Sequence, residues 1–279
     1  MSVSKAEQTT HSLGSSQRHA YGRALRSLLW RTGRPALQSR VEHHLAELDQ
    51  LVAGEQAPED AFAEVYRRAR QRVVERLVEH LPSPSERGWG RVTDDSSQTA
   101  STSHGRAAKT REMFEAYLPE VPSLTGPDFH CDAALGGVAR WLRAAGYDAA
   151  WWPGIDDDDL LRKVLTGSAI MLTTDRPLVH RAIVARGVVP ALLVPITLKR
   201  HEQFRYVMDR LELPRLRPRC MSCGGRLQAV AKDAVRRRIP PKTYPWCDDY
   251  FLCQRCGKLF WEGTHWTRIR PRLQQAGPG

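Results

Sequence analysis

Two cysteine pairs, Cys220-Met221-Ser222-Cys223 and Cys253-Gln254-Arg255-Cys256, constrain this chain more than any other feature. Two residues between cysteines let both thiolates of a pair reach one metal ion, and two such pairs complete a tetrahedral four-thiolate site. The 29 residues between the pairs leave room for a ribbon with an extended β-hairpin. The competing reading is two unrelated thiol pairs or two disulfides. A closed four-cysteine site has no open coordination position, so the expected zinc is structural and the chemistry must lie elsewhere.

At 279 residues the chain suits one or two domains with a true apolar core. Six cysteines, four of them in the two pairs, fit a reducing cytoplasm better than a secreted disulfide scaffold. No apolar run reaches the roughly 20 residues that span a bilayer, and the N-terminal stretch lacks the apolar core of a secretory signal. The net charge of +11 favours a polyanionic partner, for which nucleic acid is the commonest choice.

Composition separates several regions. Residues 20–82 read as helices: Leu25, Leu28 and Leu29 begin an apolar stripe, and Val41, Leu45, Leu48 and Leu51 continue it after the Gly33-Arg34-Pro35 break. Val65, Ala69, Val73 and Leu77 extend the pattern. Nothing in this region looks catalytic, and a bundle or a hairpin that binds a protein partner would account for it. Residues 83–126 turn polar and rich in Ser, Thr, Gly and Pro, as in a flexible linker, with one short helix around Met113 to Leu118. From Phe129 short strand and helix signals alternate, which argues for a parallel sheet flanked by helices over residues 128–213. A zinc ribbon over 214–270 completes the chain.

In an open parallel sheet, ligands bind beyond the carboxyl ends of the strands. Asp132 follows the first strand, Asp157 lies in the loop after the second, and Asp175 follows the third. Three carboxylates at one edge would repel one another unless a cation neutralised them. Oxygen donors without neighbouring Cys or His suit Mg²⁺ or Mn²⁺, ions that polarise a phosphodiester and activate water. Taken singly, each aspartate is most readily a helix cap; their common edge, and the fact that one residue can both cap and ligate, favour the joint reading. Asp157 stands three residues before Leu160, where it reads as the N-cap of a helix, and Asp158 is its substitute within Asp156-Asp157-Asp158-Asp159.

The segment from Phe129-His130-Cys131-Asp132 through Gly136-Gly137-Val138-Ala139-Arg140-Trp141-Leu142-Arg143 resembles the opening motif of the Mut-seven C-terminal RNase domain family. Leu172-Thr173-Thr174-Asp175-Arg176 is similar to its second signature. Phe251-Leu252-Cys253-Gln254-Arg255-Cys256-Gly257-Lys258 and Phe260-Trp261-Glu262-Gly263-Thr264-His265-Trp266 resemble its zinc-ribbon tail. The resemblance covers about residues 128 to 270. It implies a PIN-like fold and a metal-dependent ribonuclease in which Asp132, Asp157 and Asp175 are the acidic positions. Two departures stand out. A fourth acidic residue has no secure equivalent, since Arg176-Pro177 follows Asp175, and the N-terminal third does not look like the small ubiquitin-like domain of some bacterial relatives.

Arg140 and Arg143 lie off the apolar stripe of the first helix and could contact phosphate, or be solvated surface. Arg236, Arg237, Arg238 and Lys242 fall between the cysteine pairs and, with His265, Trp266 and nearby aromatics, could bind single-stranded RNA. The aromatics would serve a small ribbon core equally well. Cys131 reads as a buried strand residue and Cys247 as an unpaired thiol. The expectation is a zinc-stabilised, Mg²⁺- or Mn²⁺-dependent ribonuclease; the alternative is a non-catalytic RNA-binding or ribosome-associated adaptor on the same fold.

Overall fold

The computed structural model describes residues 12–79, 103–118, 120–122, 124, 126–263, 269–271 and 273. Three helices come first: α1 (Ser15–Trp30), α2 (Leu37–Ala53) and α3 (Pro58–Glu79). Their apolar stripes bury Leu25, Leu28, Val41, Leu48, Val65 and Leu77, and Tyr21 stacks on Phe62 with ring centroids 4.3 Å apart. The break between α1 and α2 is a tight turn with Gly33 at φ 63° and Ala36 at φ 56°. A fourth helix, α4 (Ser103–Tyr117), occupies part of the stretch expected to be linker and is longer than the short helix read there. Phe114 is fully buried and the Leu118 carbonyl accepts from Arg70 at 3.0 Å, so two apolar residues one turn apart dock it onto α3. Such a sparse pattern in a polar segment is easily read as linker. Residues 83–102 lie outside the described residues.

The sheet domain follows with β1 (Phe129–Cys131), a 3₁₀ turn (Ala133–Leu135), α5 (Gly136–Ala144), β2 (Ala149–Trp151), α6 (Asp157–Leu165), β3 (Ile170–Thr173), α7 (Arg176–His180), α8 (Ala182–Ala185), β4 (Ala191–Leu193) and α9 (Arg200–Arg210). The strands run parallel in the order β2-β1-β3-β4. The strand order reverses between β1 and β3, which places a topological switch point between the ends of those two strands. Side chains alternate faces along each strand. Phe129, Cys131, Ile170, Leu172 and Leu192 face α5, α9 and the N-terminal helices, whereas Met171, Ala191 and Leu193 face α6, α7 and α8. Both faces are covered, which is why the strands read as apolar runs.

The N-terminal helices are not separate from this domain. Their buried residues belong to the same apolar cluster as Phe129, Leu142 and Leu172. Trp30 Nε1 donates to the Ala191 carbonyl at 2.8 Å, Arg31 reaches the Gly187 carbonyl at 3.1 Å, and Arg23 reaches Gly126 at 2.7 Å and Ser168 at 3.2 Å. In the pairing with β3, Ala191 presents its carbonyl to the outer edge of β4, so Trp30 satisfies one carbonyl on that edge.

A second sheet, antiparallel in the order β5-β6-β7, carries the cysteine pairs: β5 (Leu227–Val230), β6 (Tyr250–Cys253) and β7 (Leu259–Trp261). The segment between β5 and β6 packs Val235, Ile239 and Cys247 against Tyr250 of β6 in a small core. Among the described residues, no helix is long and apolar enough to cross a membrane.

Candidate active site and metal centre

Asp132 ends β1 and is almost fully buried. Its Oδ1 accepts from the backbone N–H groups of Ala134 (3.0 Å) and Leu135 (3.1 Å), capping the 3₁₀ turn. Its Oδ2 accepts from Thr173 Oγ1 (2.9 Å), Thr174 N (2.6 Å) and Thr174 Oγ1 (3.1 Å), which ties the end of β1 to the end of β3 across the switch point. The capping role weighed for Asp132 is therefore real, and it coexists with a position at the sheet's carboxyl edge.

Asp157 is not the cap of α6. That role belongs to Asp156, whose carboxylate accepts from Asp159 N at 2.8 Å. The cap falls one residue before the expected position because four consecutive aspartates offer no pattern to choose among them. The displacement matters, since it leaves the Asp157 carboxylate free of the cap. Burial, and then the neighbouring Asp175, push the Asp157 carboxyl above its ordinary pKa; Arg181 opposes the shift and Asp132 adds to it. Asp175 precedes α7 and makes no side-chain cap bond; its carboxylate lies within hydrogen-bonding reach of Asp157. Arg181, at the break between α7 and α8, lies 3.8 Å from Asp157 and pairs closely with Asp158. Asp158, with 73% of its side chain exposed, faces solvent and Arg181.

Asp132, Asp157 and Asp175 thus share one edge and influence one another. They do not close into a tight ligand set: among the described residues, only the four cysteines bring three or more candidate ligand atoms within 4.8 Å of one another.

Those cysteines fit zinc. Cys220 and Cys256 Sγ are 3.7 Å apart, and Cys223 and Cys253 Sγ 3.5 Å; tetrahedral Zn–S bonds of about 2.3 Å require about 3.8 Å. The two pairs adopt the same turn. Gly224 N donates to Cys220 O (2.7 Å) and Gly257 N to Cys253 O (2.9 Å), with both glycines at positive φ. Burial raises the Cys253 thiol, but N–H groups of Cys256 and Arg255 aimed at Sγ outweigh it and bring the group down to about 7. The four residues could hold one zinc ion. Cys247 lies in the core of the inserted segment, and burial pushes the Cys131 thiol upward, so neither offers a ready thiolate.

Arg143 corrects a sequence expectation. It is buried, and its guanidinium donates to Ala149 O (2.8 Å), Met221 O (3.1 Å) and Ser222 O (2.9 Å). It fastens the first cysteine pair to β2 and α5 from the wall of the groove described below. A helical arginine off the apolar stripe looks solvated until the ribbon covers it. Arg140, Arg236, Arg237, Arg238 and Lys242 are exposed, with Arg236 lying 5.2 Å over the Tyr244 ring. His265 and Trp266 lie outside the described residues.

A groove of about 580 Å³ runs from Ala133 and Ala134, next to Asp132, to Met221 and Ser222 of the first cysteine pair. Arg140, Trp151 and Arg200 line it. Trp151 Nε1 donates to Ala133 O at 3.0 Å. Gly136 and Gly137 form its floor, and a Cβ on either would come within 2.8 Å of Trp151 or Arg200. Neither Arg140 nor Arg200 has an ion-pair partner among the described residues. Sequence reasoning missed Arg200. The available signal was Lys199-Arg200-His201 at the start of a helix, where the dipole disfavours cations.

These features define an α/β domain with a parallel sheet flanked by helices, extended by a four-cysteine ribbon. Residues 127–273, more than half of the chain, match the family model of the Mut7-C RNAse domain, and the chain belongs to that family. Family membership points to a nuclease or RNA-related function. Neither a curated protein nor a solved structure matches the chain.

Proposed function

We propose that this protein is a metal-dependent ribonuclease whose Asp157 and Asp175 carboxylates, with Asp132 behind them, form the site for Mg²⁺ or Mn²⁺. The observation that carries this reading is the pair Asp157 and Asp175: two carboxylates that cap no helix and lie within hydrogen-bonding reach of each other, at the carboxyl edge of a parallel sheet. Adjacent carboxylates favour a cation between them, and oxygen donors favour a hard one. A bound ion of this kind supplies Lewis-acid stabilisation and a nucleophilic water for phosphodiester hydrolysis. Asp132 orients the β1 and β3 ends through its five accepted hydrogen bonds and adds negative charge. Arg140 and Arg200 bind phosphates along the groove, Trp151 offers a stacking face, and the ribbon, held together by a structural zinc, forms the far wall. Basic grooves with aromatic faces suit single-stranded RNA.

Cleavage of single-stranded RNA by purified protein, with Mg²⁺ or Mn²⁺ added, tests the activity; absence of cleavage with both ions overturns it. RNA affinity measured against salt tests the groove. Arg140→Ala with Arg200→Ala should flatten the log–log slope by about 1.4, two phosphate contacts at about 0.7 each for a single strand.

The adaptor reading keeps one observation in its favour: the two oxygens of Asp132 are already occupied by backbone and hydroxyl donors. Calorimetry distinguishes the two, because an adaptor has no Mn²⁺ site sensitive to Asp157.

A further inference from the structure

The N-terminal helices contain a cavity of about 530 Å³ where the α1–α2 turn meets the second half of α3. Its walls are basic: Arg34 and Arg40 come from the turn and α2, Arg72 and Arg76 from α3, and His43 and His44 from α2. Its floor is apolar, made by Leu29, Ala69 and Val73, and Thr32 and Ser39 add hydroxyls. Among the described residues the only carboxylate on the lining is Glu47, and it is already engaged by Arg68 at 2.8 Å and His44 at 3.3 Å. Arg34, Arg72 and Arg76 have no ion-pair partner among the described residues. Arg40 is held in place by donating to Thr32 Oγ1 (3.2 Å) and Arg34 O (2.9 Å), while its buried Nε has no partner.

Four guanidinium groups around one cavity repel one another, and no free carboxylate on the lining offsets them. Burial, and then the nearby Arg34, lower the pKa of Arg40, and burial also lowers that of His44, with Arg72 adding to it. An anion would relieve all of these costs at once. The volume falls within the range of small-molecule pockets, and an apolar floor beneath a basic rim matches a flat heterocycle attached to phosphate. Arginine forks match phosphate oxygens better than any point charge does.

We propose that this cavity binds a phosphorylated ligand of nucleotide size, with its phosphates on Arg40, Arg72 and Arg76 and its base against Leu29 and Val73. The site lies in helices outside the matched family region, and it stands whether or not the sheet domain cleaves RNA. The ligand is a free nucleotide or the terminal phosphate of an RNA, and the two sources share this chemistry.

Isothermal titration of the full-length protein in Mg²⁺-free buffer, with pyrophosphate, ATP, and a trinucleotide bearing either a 5′-phosphate or a 5′-hydroxyl, tests the proposal. Saturable binding of ATP tighter than of pyrophosphate is expected, and Arg72→Glu with Arg76→Glu, both exposed changes, should weaken it at least tenfold. Preference for the 5′-phosphorylated trinucleotide over both ATP and its hydroxyl counterpart assigns the site to RNA ends and also supports the proposal. Absence of binding by all four probes, or binding that the Arg72/Arg76 double variant retains at full strength, overturns it.

Discussion

Arg255, between the cysteines of the second pair, donates to Asp148 Oδ2 at 2.8 Å, so the ribbon is tied to the residue that leads into β2. Arg219 approaches the same oxygen at 3.5 Å, and a Cβ on Gly224 would lie 2.3 Å from the other carboxylate oxygen. Asp148 is thus enclosed by both cysteine pairs. Removing it as Asp148→Ala takes the carboxylate from the partly buried Arg219, which keeps only its bonds to the Gly146 and Gly224 carbonyls, and should cost about 1–3 kcal/mol in urea unfolding. The half-exposed Arg255 contributes little of that. A change below about 0.5 kcal/mol would show that the ribbon docks by other means.

Asp132 and Asp157 should respond in opposite ways to loss of charge. Asp132→Asn replaces an acceptor oxygen by a donor facing N–H or hydroxyl groups and should lower stability by about 2 kcal/mol. The Asp157 carboxyl has a raised pKa in the folded protein, so its contribution to stability is lost as pH rises through that value. Asp157→Asn should therefore melt at or slightly above the wild-type temperature at pH 7. The difference should shrink as pH falls to the ordinary aspartate value. Thermal melts at pH 7 and at about pH 3.5, near the ordinary aspartate value, provide the comparison, and a large loss in Asp157→Asn at pH 7 would contradict it.

Two arginines one helical turn apart should separate cleanly. Arg143→Ala removes three hydrogen bonds between α5, β2 and the first cysteine pair and should destabilise the protein by about 2–3 kcal/mol. Arg140→Ala should stay within about 0.5 kcal/mol of wild type in stability while weakening RNA binding. Denaturant curves and filter binding on the same two preparations read both effects. Equal loss of RNA affinity without loss of stability in Arg143→Ala would restore it as a phosphate contact.

One zinc per chain is the expected stoichiometry, and Cys223→Ser should lose it. Among the described residues the ribbon has only a small apolar core of its own, so bound metal should supply much of its folding free energy. Hydrogen exchange should then show unprotected amides over 227–261 while β1, β3 and β4 keep their protection. Stoichiometric zinc retained by the variant would bring in another ligand, for which His265 is the nearest histidine in sequence.

The sheet was legible because period and punctuation agreed. Ala169 to Thr173 is an apolar run that ends at Thr174-Asp175, and Gly146 closes the first helix at φ 101°. The cysteine cluster was legible from spacing alone. What could not be read were contacts between distant segments. Arg143 looks like any surface arginine until Met221 and Ser222 pack over it, and Trp30 carries no mark of its bond to Ala191. The choice between Asp156 and Asp157 as helix cap turns on backbone geometry that a run of identical residues cannot encode. Asp132 and Asp175 could be placed at a strand end, but the hydroxyl clasp of Thr173 and Thr174 on Asp132 required the register of β1 with β3.

The most direct test of the nuclease reading compares wild-type protein with Asp157→Asn and Asp175→Asn in cleaving an end-labelled single-stranded RNA with Mn²⁺. Asp157→Asn should fold at least as well as the wild type, so its loss of activity cannot be ascribed to unfolding. A fall in rate of at least about 100-fold, some 2.7 kcal/mol of transition-state stabilisation, is expected in both variants, with RNA affinity preserved. Cleavage by folded Asp157→Asn or Asp175→Asn at the wild-type rate would contradict it.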